Sequence, residues 1–484
     1  MNKAFRHLLV KIVCLASCFV LHSSFSATPP PNILFILADD MGWSDLGCYG
    51  ADLHETPHID RLAGESVRFT NAYAMSVCSP TRSTLMTGKH AARLHFTIWA
   101  EGAESGGPKN RKLREAPSIW NLPHTETTIA KHLHDAGYLT ALVGKWHLGD
   151  WLHYPESHGF DINIGGTNWG APQSFWWPYS GSGRFGDEFR YVPHLEFGKP
   201  GEYLTDRLTD EAIKVIDHAG KQPFFIYLAH HAVHTPIEAK EADVQIFDAK
   251  LRDGMHHKHA VYAAMNKNLD DDVGLILDHL KERGLDKNTL VIFASDNGGY
   301  IGSDKASGRD MPVTNNAPLR SGKGSLYEGG IRIPLIIRWP GITGTGGICD
   351  EPVATMDLFN TLLSAAGLPK EANDGLDLTP LLKQPSSKLD RDALFFHYPH
   401  YYHTTTPVSA VRSRDWKLLE FFEDQHLELY HLSDDLSEQY NLAKEMPDKA
   451  NALRDQLHAW RTTVGAAQPV TNPDFKPGKP KAKP

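Results

Sequence analysis

Near residue 80 the chain reads Val77-Cys78-Ser79-Pro80-Thr81-Arg82-Ser83-Thr84-Leu85-Met86-Thr87-Gly88-Lys89, residue types that suit an oxyanion site. Pro80 belongs in the first turn of a helix, where free backbone N–H groups and the helix dipole favour negative charge. A helix starting near Cys78 puts Arg82 one turn on and on the same face, where its guanidinium can fork onto an oxyanion or onto whatever Cys78 becomes. Gly88 suits the stop. The plainer alternative is a small apolar cysteine in a loop that opens a helix, and the stretch alone does not decide between them.

Carboxylates and cations follow apolar runs elsewhere. Ile33–Leu37 runs into Asp39-Asp40, and Leu290–Phe293 runs into Asp296-Asn297-Gly298-Gly299. Three carboxylates and one amide oxygen make a hard oxygen set that suits Ca²⁺, or less readily Mg²⁺, rather than zinc. Taken singly, either pair could equally cap a helix or make a turn. Lys145 and His147 follow the run ending at Val143 and, two residues apart in an extended segment, point to one side. His230, His231 and His234 follow the run ending at Leu228, and Lys323 lies in Arg320-Ser321-Gly322-Lys323-Gly324-Ser325. A lone histidine among 27 is usually structural. A His, Lys or Arg after nearly every run is harder to ascribe to packing, because buried unpaired charge is costly.

The elements that must position these residues read as an alternation of strands and helices without repeats. Ile33–Leu37, Leu139–Val143, Phe224–Leu228, Leu290–Phe293 and Pro334–Ile337 are short, apolar and rich in branched residues, as buried central strands are. Thr127–Asp135, Asp206–His218 and Ala260–Leu280 are helix candidates between them. That order predicts an α/β domain over residues 27–380, with a large, mostly parallel sheet covered on both faces. At the carboxyl ends of such strands ligands collect. The Gly, Pro and Trp-rich stretches 100–125 and 150–205 are too long for simple connections and are expected to wall a pocket. Beyond Thr379 the texture changes. Ser409–Arg412, Trp416–Phe422 and Leu427–Leu432 read as strands and Pro447–Trp460 as an amphipathic helix, a small α+β subdomain over 381–467. Residues 468–484, rich in Pro and Lys, read as a disordered tail.

The motifs then carry a resemblance. Cys78-x-Pro80-x-Arg82 with Thr87-Gly88-Lys89 resembles the signature of the type I sulfatases, and Pro31–Gly50, Gly144–Gly149, His230–Pro236, Ser295–Gly298 and Leu319–Pro334 resemble further blocks of that family in the family's order. The resemblance implies an alkaline-phosphatase-like fold ending in a small antiparallel sheet and helix. It also implies oxidation of Cys78 to formylglycine by a formylglycine-generating enzyme or radical maturase. Asp39, Asp40, Asp296, Asn297 and the modified Cys78 would then bind Ca²⁺, while Arg82, Lys145, His147, His234 and Lys323 would serve catalysis and sulfate binding. His230 and His231 are structural or supporting by the same likeness. Hydrolysis of sulfate esters, on carbohydrates, is the activity the resemblance implies; a phosphoester or phosphonate hydrolase and a non-catalytic glycan-binding relative are the alternatives.

Composition sets further bounds. Residues 1–26 carry Lys3, Arg6 and Lys11, the apolar run Ile12–Leu21 and the small residues Ser24-Phe25-Ser26, which read as a secretory signal and not a membrane span. Leu15-Ala16-Ser17-Cys18 also resembles a lipoprotein cleavage box. Export would place the protein in the periplasm or medium. Removing three positive charges from a net −9 leaves about −12, a poor match for nucleic acid. Cys48, Cys78 and Cys349 make no disulfide framework; Cys48 and Cys349 are expected to be unpaired, one bridge being the alternative. Trp169, Trp176, Trp177, Tyr179 and the run His397, Tyr398, His400, Tyr401, Tyr402, His403 either stack on sugar rings or fill the core.

Overall fold

Every residue from Ile33 to Leu37 is apolar and fully buried, so this strand must be covered on both faces. The computed structural model, which describes residues 30–304 and 307–477, shows how. The strands are β1 (Asn32–Ala38), β2 (Val67–Tyr73), β3 (Leu139–Gly144), β4 (Ile162–Ile164), β5 (Phe224–Ala229), β6 (Thr289–Ser295), β7 (Arg332–Arg338) and β8 (Gly347–Cys349). They form one sheet in the order β8-β2-β7-β6-β1-β5-β3-β4, with Val353–Ala354 paired beside β2. β6, β1, β5, β3 and β4 run parallel, while β7 is antiparallel to both β6 and β2.

Helices α1 (Cys78–Thr87), α2 (Ile129–Asp135), α3 (Leu204–Ala219), α4 (Ala260–Glu282) and α5 (Asp357–Ala365) cover the sheet. Alternation along β1 sorts them. Leu34, Ile36 and Ala38 join the core built with α3 and α4, whereas Ile33, Phe35 and Leu37 join the core built with α1, α2 and α5. Register brings the strand ends level: Leu37 pairs with Ala229, Ala38 with Ser295, and Gly144 with Ala229. Asp39, Lys145, His230 and Asp296 therefore leave the sheet side by side.

A second sheet is antiparallel, β9 (Leu394–Tyr398), β10 (Val408–Ser413), β11 (Trp416–Phe421) and β12 (Leu427–His431), and α6 (Pro447–Val464) packs on it through Ala450, Leu453 and Leu457. The described residues from Pro31 on fall in one compact unit that includes this sheet.

One expectation changes and others lie out of reach. The chain from 468 to 477 is not a loose tail. Val470–Thr471 pairs antiparallel with Leu113–Arg114, and the Asn472 side chain donates to the Lys109 and Arg111 carbonyls. Its Pro and Lys content misleads because two backbone pairs and one amide suffice to hold it. The sequence reading also passes over β2, β4, β8 and β9. Residues 1–26, with Cys18, and the end of the tail beyond Pro477 lie outside the described residues. Cys48, Cys78 and Cys349 are all free thiols. Among the described residues no helix is long and apolar enough to cross a membrane.

Candidate active site

Helix α1 starts at Cys78 after an extended Val77 and stops at Gly88, whose φ of 66° closes it in the left-handed region. Every residue from Cys78 to Thr87 is buried. Ser79 fixes its start, donating to the His147 carbonyl at 2.9 Å and accepting from Ala100 N at 3.1 Å. Cys78 Sγ lies 3.3 Å from His147 Nδ1. Burial opposes a thiolate here, but Lys145, His147 and Lys323 outweigh it and bring the Cys78 pKa below its ordinary value.

His147 has a partner on its other side. Nε2 makes a very short contact with Glu101 Oε2. Burial disfavours the imidazolium, yet Glu101 and Cys78 raise the His147 pKa overall. Glu101 in turn accepts from Gly170 N at 2.8 Å and faces Arg190 at 3.7 Å. His147 and Asp40 both hold positive φ, 60° and 61°, a conformation costly for side-chain-bearing residues and found where geometry serves a site.

The carboxylates form one cluster with the cations. Lys145 Nζ donates to Asp39 Oδ2 at 2.6 Å, Lys323 Nζ to Asp40 Oδ2 at 2.8 Å, and Asn297 Nδ2 to Asp40 Oδ1 at 2.8 Å. Arg82 forks onto Asp296 Oδ2 at 3.0 and 2.9 Å and donates to the Lys145 carbonyl at 2.8 Å. Burial and the neighbouring Asp39 push Asp296 up to about 6 against the pull of Arg82. Two oxygens of this cluster, Asp39 Oδ1 and Asn297 Oδ1, are buried with no hydrogen-bond partner. Buried oxygens without partners are costly, and with Asp40 and Asp296 beside them they fit a hard cation such as Ca²⁺.

A cavity of about 200 Å³ opens onto Cys78, His147, His234 and Lys323, walled by Trp99, Glu101, Gly170, Ala171, Phe185, Arg190 and Tyr402. Larger cavities lie elsewhere, including one of about 740 Å³ beside Arg114 and His400. Volume is a weaker guide than the side chains at the strand ends. His234 Nδ1 lies 2.7 Å from the Thr235 carbonyl, which leaves Nε2 facing Asp40 Oδ2 at 3.5 Å. Burial, with Lys323 and Lys145 against Asp40, lowers the His234 pKa to about 3.

The structure thus gathers every site residue named from the sequence, but not in one layer. Cys78, His147, His234 and Lys323 line the cavity, while Arg82 and Lys145, fully buried, stand behind it on Asp296 and Asp39. His230 and His231 are buried with both ring nitrogens unpartnered, and burial lowers both pKa values. Of the aromatic candidates, Tyr402 reaches the cavity. Tyr179 bonds Glu202, His397 bonds Ser409, and His400 bonds Thr97 and Glu115, all within the fold. Glu101, Arg190, Trp99 and Phe185 were not singled out from the sequence. Glu101, Arg190 and Phe185 sit in the stretches expected to wall a pocket, and that position was their signal; Trp99 lies just outside them.

Acidic oxygens and cations gathered at the carboxyl ends of a mixed sheet, beside a nucleophile at a helix start, define an ester hydrolase of the alkaline-phosphatase-like class. Comparison with known proteins gives the family. The model described as Sulfatase matches residues 31–368, and that described as N-sulphoglucosamine sulphohydrolase, C-terminal, matches 322–463. The chain is 35% identical over 414 residues to the N-acetylgalactosamine-6-sulfatase of Rattus norvegicus, covering 81% of this chain and 71% of that protein. It is 32% identical over 507 aligned positions to a sulfatase of Formosa agariphila, covering 90% and 89%. The solved structure of Ps i-CgsB in complex with k-i-k-neocarrahexaose is similar at a TM-score of 0.74 and 28% identity, covering 92% and 94%. The chain belongs to the sulfatase family and is a sulfuric ester hydrolase.

Proposed function

We propose that this enzyme hydrolyses sulfate monoesters of carbohydrates, using formylglycine made from Cys78 by a formylglycine-generating enzyme or radical maturase, with Ca²⁺ held by Asp39, Asp40, Asp296, Asn297 and the modified residue 78. The observation that carries this reading is Cys78 at a buried helix start, 3.3 Å from His147 and beside two unpartnered buried oxygens, Asp39 Oδ1 and Asn297 Oδ1. Cys78 Sγ stands in for an oxygen of the aldehyde hydrate. That group supplies a nucleophilic hydroxyl and a second one through which sulfate is expelled, and the cation offsets negative charge around them.

The chain's own side chains do the rest. His147 Nδ1 takes a proton from the group at position 78, and Glu101 holds the imidazolium that results. His234, with Nδ1 tied to the Thr235 carbonyl, turns Nε2 to the cavity; the negative charge of a bound ester favours the imidazolium that burial and the lysines disfavour in the free enzyme, and Nε2–H then protonates the leaving alcohol. Lys323 faces the anionic ester in the cavity. Arg82 and Lys145 hold Asp296 and Asp39 in register and add positive charge from behind. The carbohydrate assignment is supported by the names of the relatives, and by Trp99, Phe185 and Tyr402 as aromatic walls on which a sugar ring can stack. Residues 1–26, read as a secretory signal, place this activity in the periplasm or medium, where such polymers are met.

The test is release of sulfate from a panel of sulfated oligosaccharides, run beside matched phosphate esters, on protein whose Cys78 peptide has been weighed by mass spectrometry. Formylglycine and faster turnover of sulfate are expected. Full activity with an intact Cys78 thiol, or faster turnover of phosphate, overturns the proposal.

A further inference from the structure

Arginine is seldom buried without partners, and Arg190 on the cavity wall is nearly so. It ends an antiparallel hairpin, Gly181–Gly183 with Gly186–Arg190, whose second strand is exposed from Gly186 to Phe189. Arg190 alone turns inward, 7% exposed, and lines the cavity with Cys78, His147 and Lys323. A guanidinium has five N–H donors. Among the described residues only Nη1 makes a hydrogen bond, to the Ala171 carbonyl at 3.4 Å, and Nε is buried with none.

The charge is matched as loosely as the donors. Nε faces Glu188 Oε2 at 3.3 Å, but that side chain is half open to solvent, and ion pairs with such partners contribute little. Nη2 faces Glu101 Oε1 at 3.7 Å, and this carboxylate is already committed to His147 and Gly170 N. Phe185 covers one side of the guanidinium, with Cζ 4.2 Å from the ring centroid, and so fixes the plane of the fork. A buried, charged and under-bonded group is costly unless a ligand completes it.

We propose that Arg190 is a specificity-determining residue that forks onto a second oxyanion of the substrate, a carboxylate or a further sulfate, on the sulfated sugar or on the residue linked to it. This rests on the carbohydrate sulfate reading of the cavity and narrows it to esters with more than one anionic group. His147 and Glu101 lie between Cys78 and Arg190, so the arginine stands apart from the ester at position 78 and meets another substituent. A planar guanidinium matches either oxyanion with two parallel N–H···O bonds. A neutral sugar leaves those donors unmatched, and a site rejects most strongly the ligand that leaves its buried polar groups unpaired.

The experiment compares matched probes. One pair is the monosulfates of methyl galacturonoside and of its uronamide, in which a neutral amide replaces the carboxylate; the other is the disulfates and monosulfates of methyl galactoside, each as its set of positional isomers. In the natural protein kcat/KM should be at least tenfold higher for the more anionic member of one pair, and the pair that shows the preference identifies the oxyanion. Arg190→Gln should bring that ratio close to one, mainly by raising KM for the anionic member. Arg190→Lys keeps the charge without the fork and should leave an intermediate ratio. Calorimetric binding of the same pairs to Cys78→Ala, with and without Arg190→Gln, reads the preference without turnover. Failure of the sulfatase reading then shows as absent sulfate release with the binding preference intact. Equal binding of both members of each pair, or no binding, overturns the proposal. So does an equal loss on both members in Arg190→Gln, the result expected if the arginine only holds Glu101 in place.

Discussion

Glu101 sets the state of His147, and through it the readiness of residue 78. The imidazole is clamped between Cys78 Sγ and Glu101 Oε2, and the carboxylate is itself fixed by Gly170 N. A carboxylate in this position orients the ring and stabilises the imidazolium formed when Nδ1 takes a proton. Glu101→Gln keeps the shape and removes the charge. We expect kcat to fall on the order of 10²-fold with little change in KM, since Glu101 acts through His147 and not on uniform substrate binding. Steady-state kinetics on one sulfated substrate checks this, and an equal rise in KM would assign Glu101 to substrate binding instead. Asn297 supports a second prediction. Its Oδ1 is one of the two unpartnered buried oxygens, so Asn297→Ala should need far more Ca²⁺ for activity. Chelation should abolish turnover in both proteins, and calcium titration should restore the natural protein at much lower concentration.

Between the two sheets the decisive element contact is a buried ion cluster. Lys417 of β11 lies 2.8 Å from both Glu328, just before β7, and Glu438, after β12, and all three are fully buried. Two carboxylates share one lysine, with Arg332 also on Glu328. Burial and Glu328 push Glu438 up to about 7, while Lys417 and Arg332 overcome burial and hold Glu328 down at about 2. The folded state therefore keeps the Glu438 proton that the unfolded chain releases near 4.5. Folded protein binds more protons between those values, so this group's contribution to stability falls as pH rises from about 4.5 to about 7. Glu328 acts oppositely, stabilising above its ordinary value and losing that contribution as pH falls below it. Glu438→Gln should remove the first effect, leaving a flatter dependence of Tm on pH across that window, as measured by thermal melts of the two proteins in parallel. This cluster was invisible in the sequence, because Glu328, Lys417 and Glu438 are distant in the chain and fall in unrelated patterns. β1, β3, β5 and β6 were legible for the opposite reason: being covered on both faces, they are apolar except for Asn32, Thr140, Thr289 and Ser295. β2, Val-Arg-Phe-Thr-Asn-Ala-Tyr, is only partly buried at its polar positions and lacks that mark. Cys78, Asp39, Asp296 and their partners could be named because each follows a strand or opens a helix. Glu101, a lone acid between alanine and glycine, acquires its role only when the fold brings it to His147.

On the scale of the whole molecule, the C-terminal end of the described chain is paired with the segment that follows the helix bearing Glu101. Val470–Thr471 pairs with Leu113–Arg114, Asn472 N donates to the Lys112 carbonyl at 2.9 Å, and Arg114 reaches Asp474 at 2.6 Å. The strand so held is the next element in the chain after the helix Ala100–Ser105, which carries Glu101. Three further contacts tie the same stretch to the second sheet: Glu115 accepts from Tyr401 N at 2.9 Å and pairs with His400 at 3.0 Å, while Lys112 faces Glu423 at 3.5 Å. Residues 106–118 are otherwise largely exposed and offer Lys109, Arg111, Lys112 and Arg114 to trypsin. Ending the chain after Ala467 removes the pairing but leaves both sheets, α6 and the Glu115 contacts, so the truncated protein should fold and melt within a few degrees of the full chain. Its 106–118 stretch should be cut by trypsin at least tenfold faster, because cleavage there tracks local opening and not global unfolding. A part of the kcat lost in Glu101→Gln should be lost here too, since the helix bearing Glu101 is then anchored from one side only. Limited proteolysis with mass spectrometry of the fragments, beside kinetics on the same preparation, reads both effects. Unchanged cleavage would mean that the second sheet alone holds the wall, and unchanged kcat with faster cleavage would mean that Glu101 is fixed by Gly170 and His147 without help from the end of the chain.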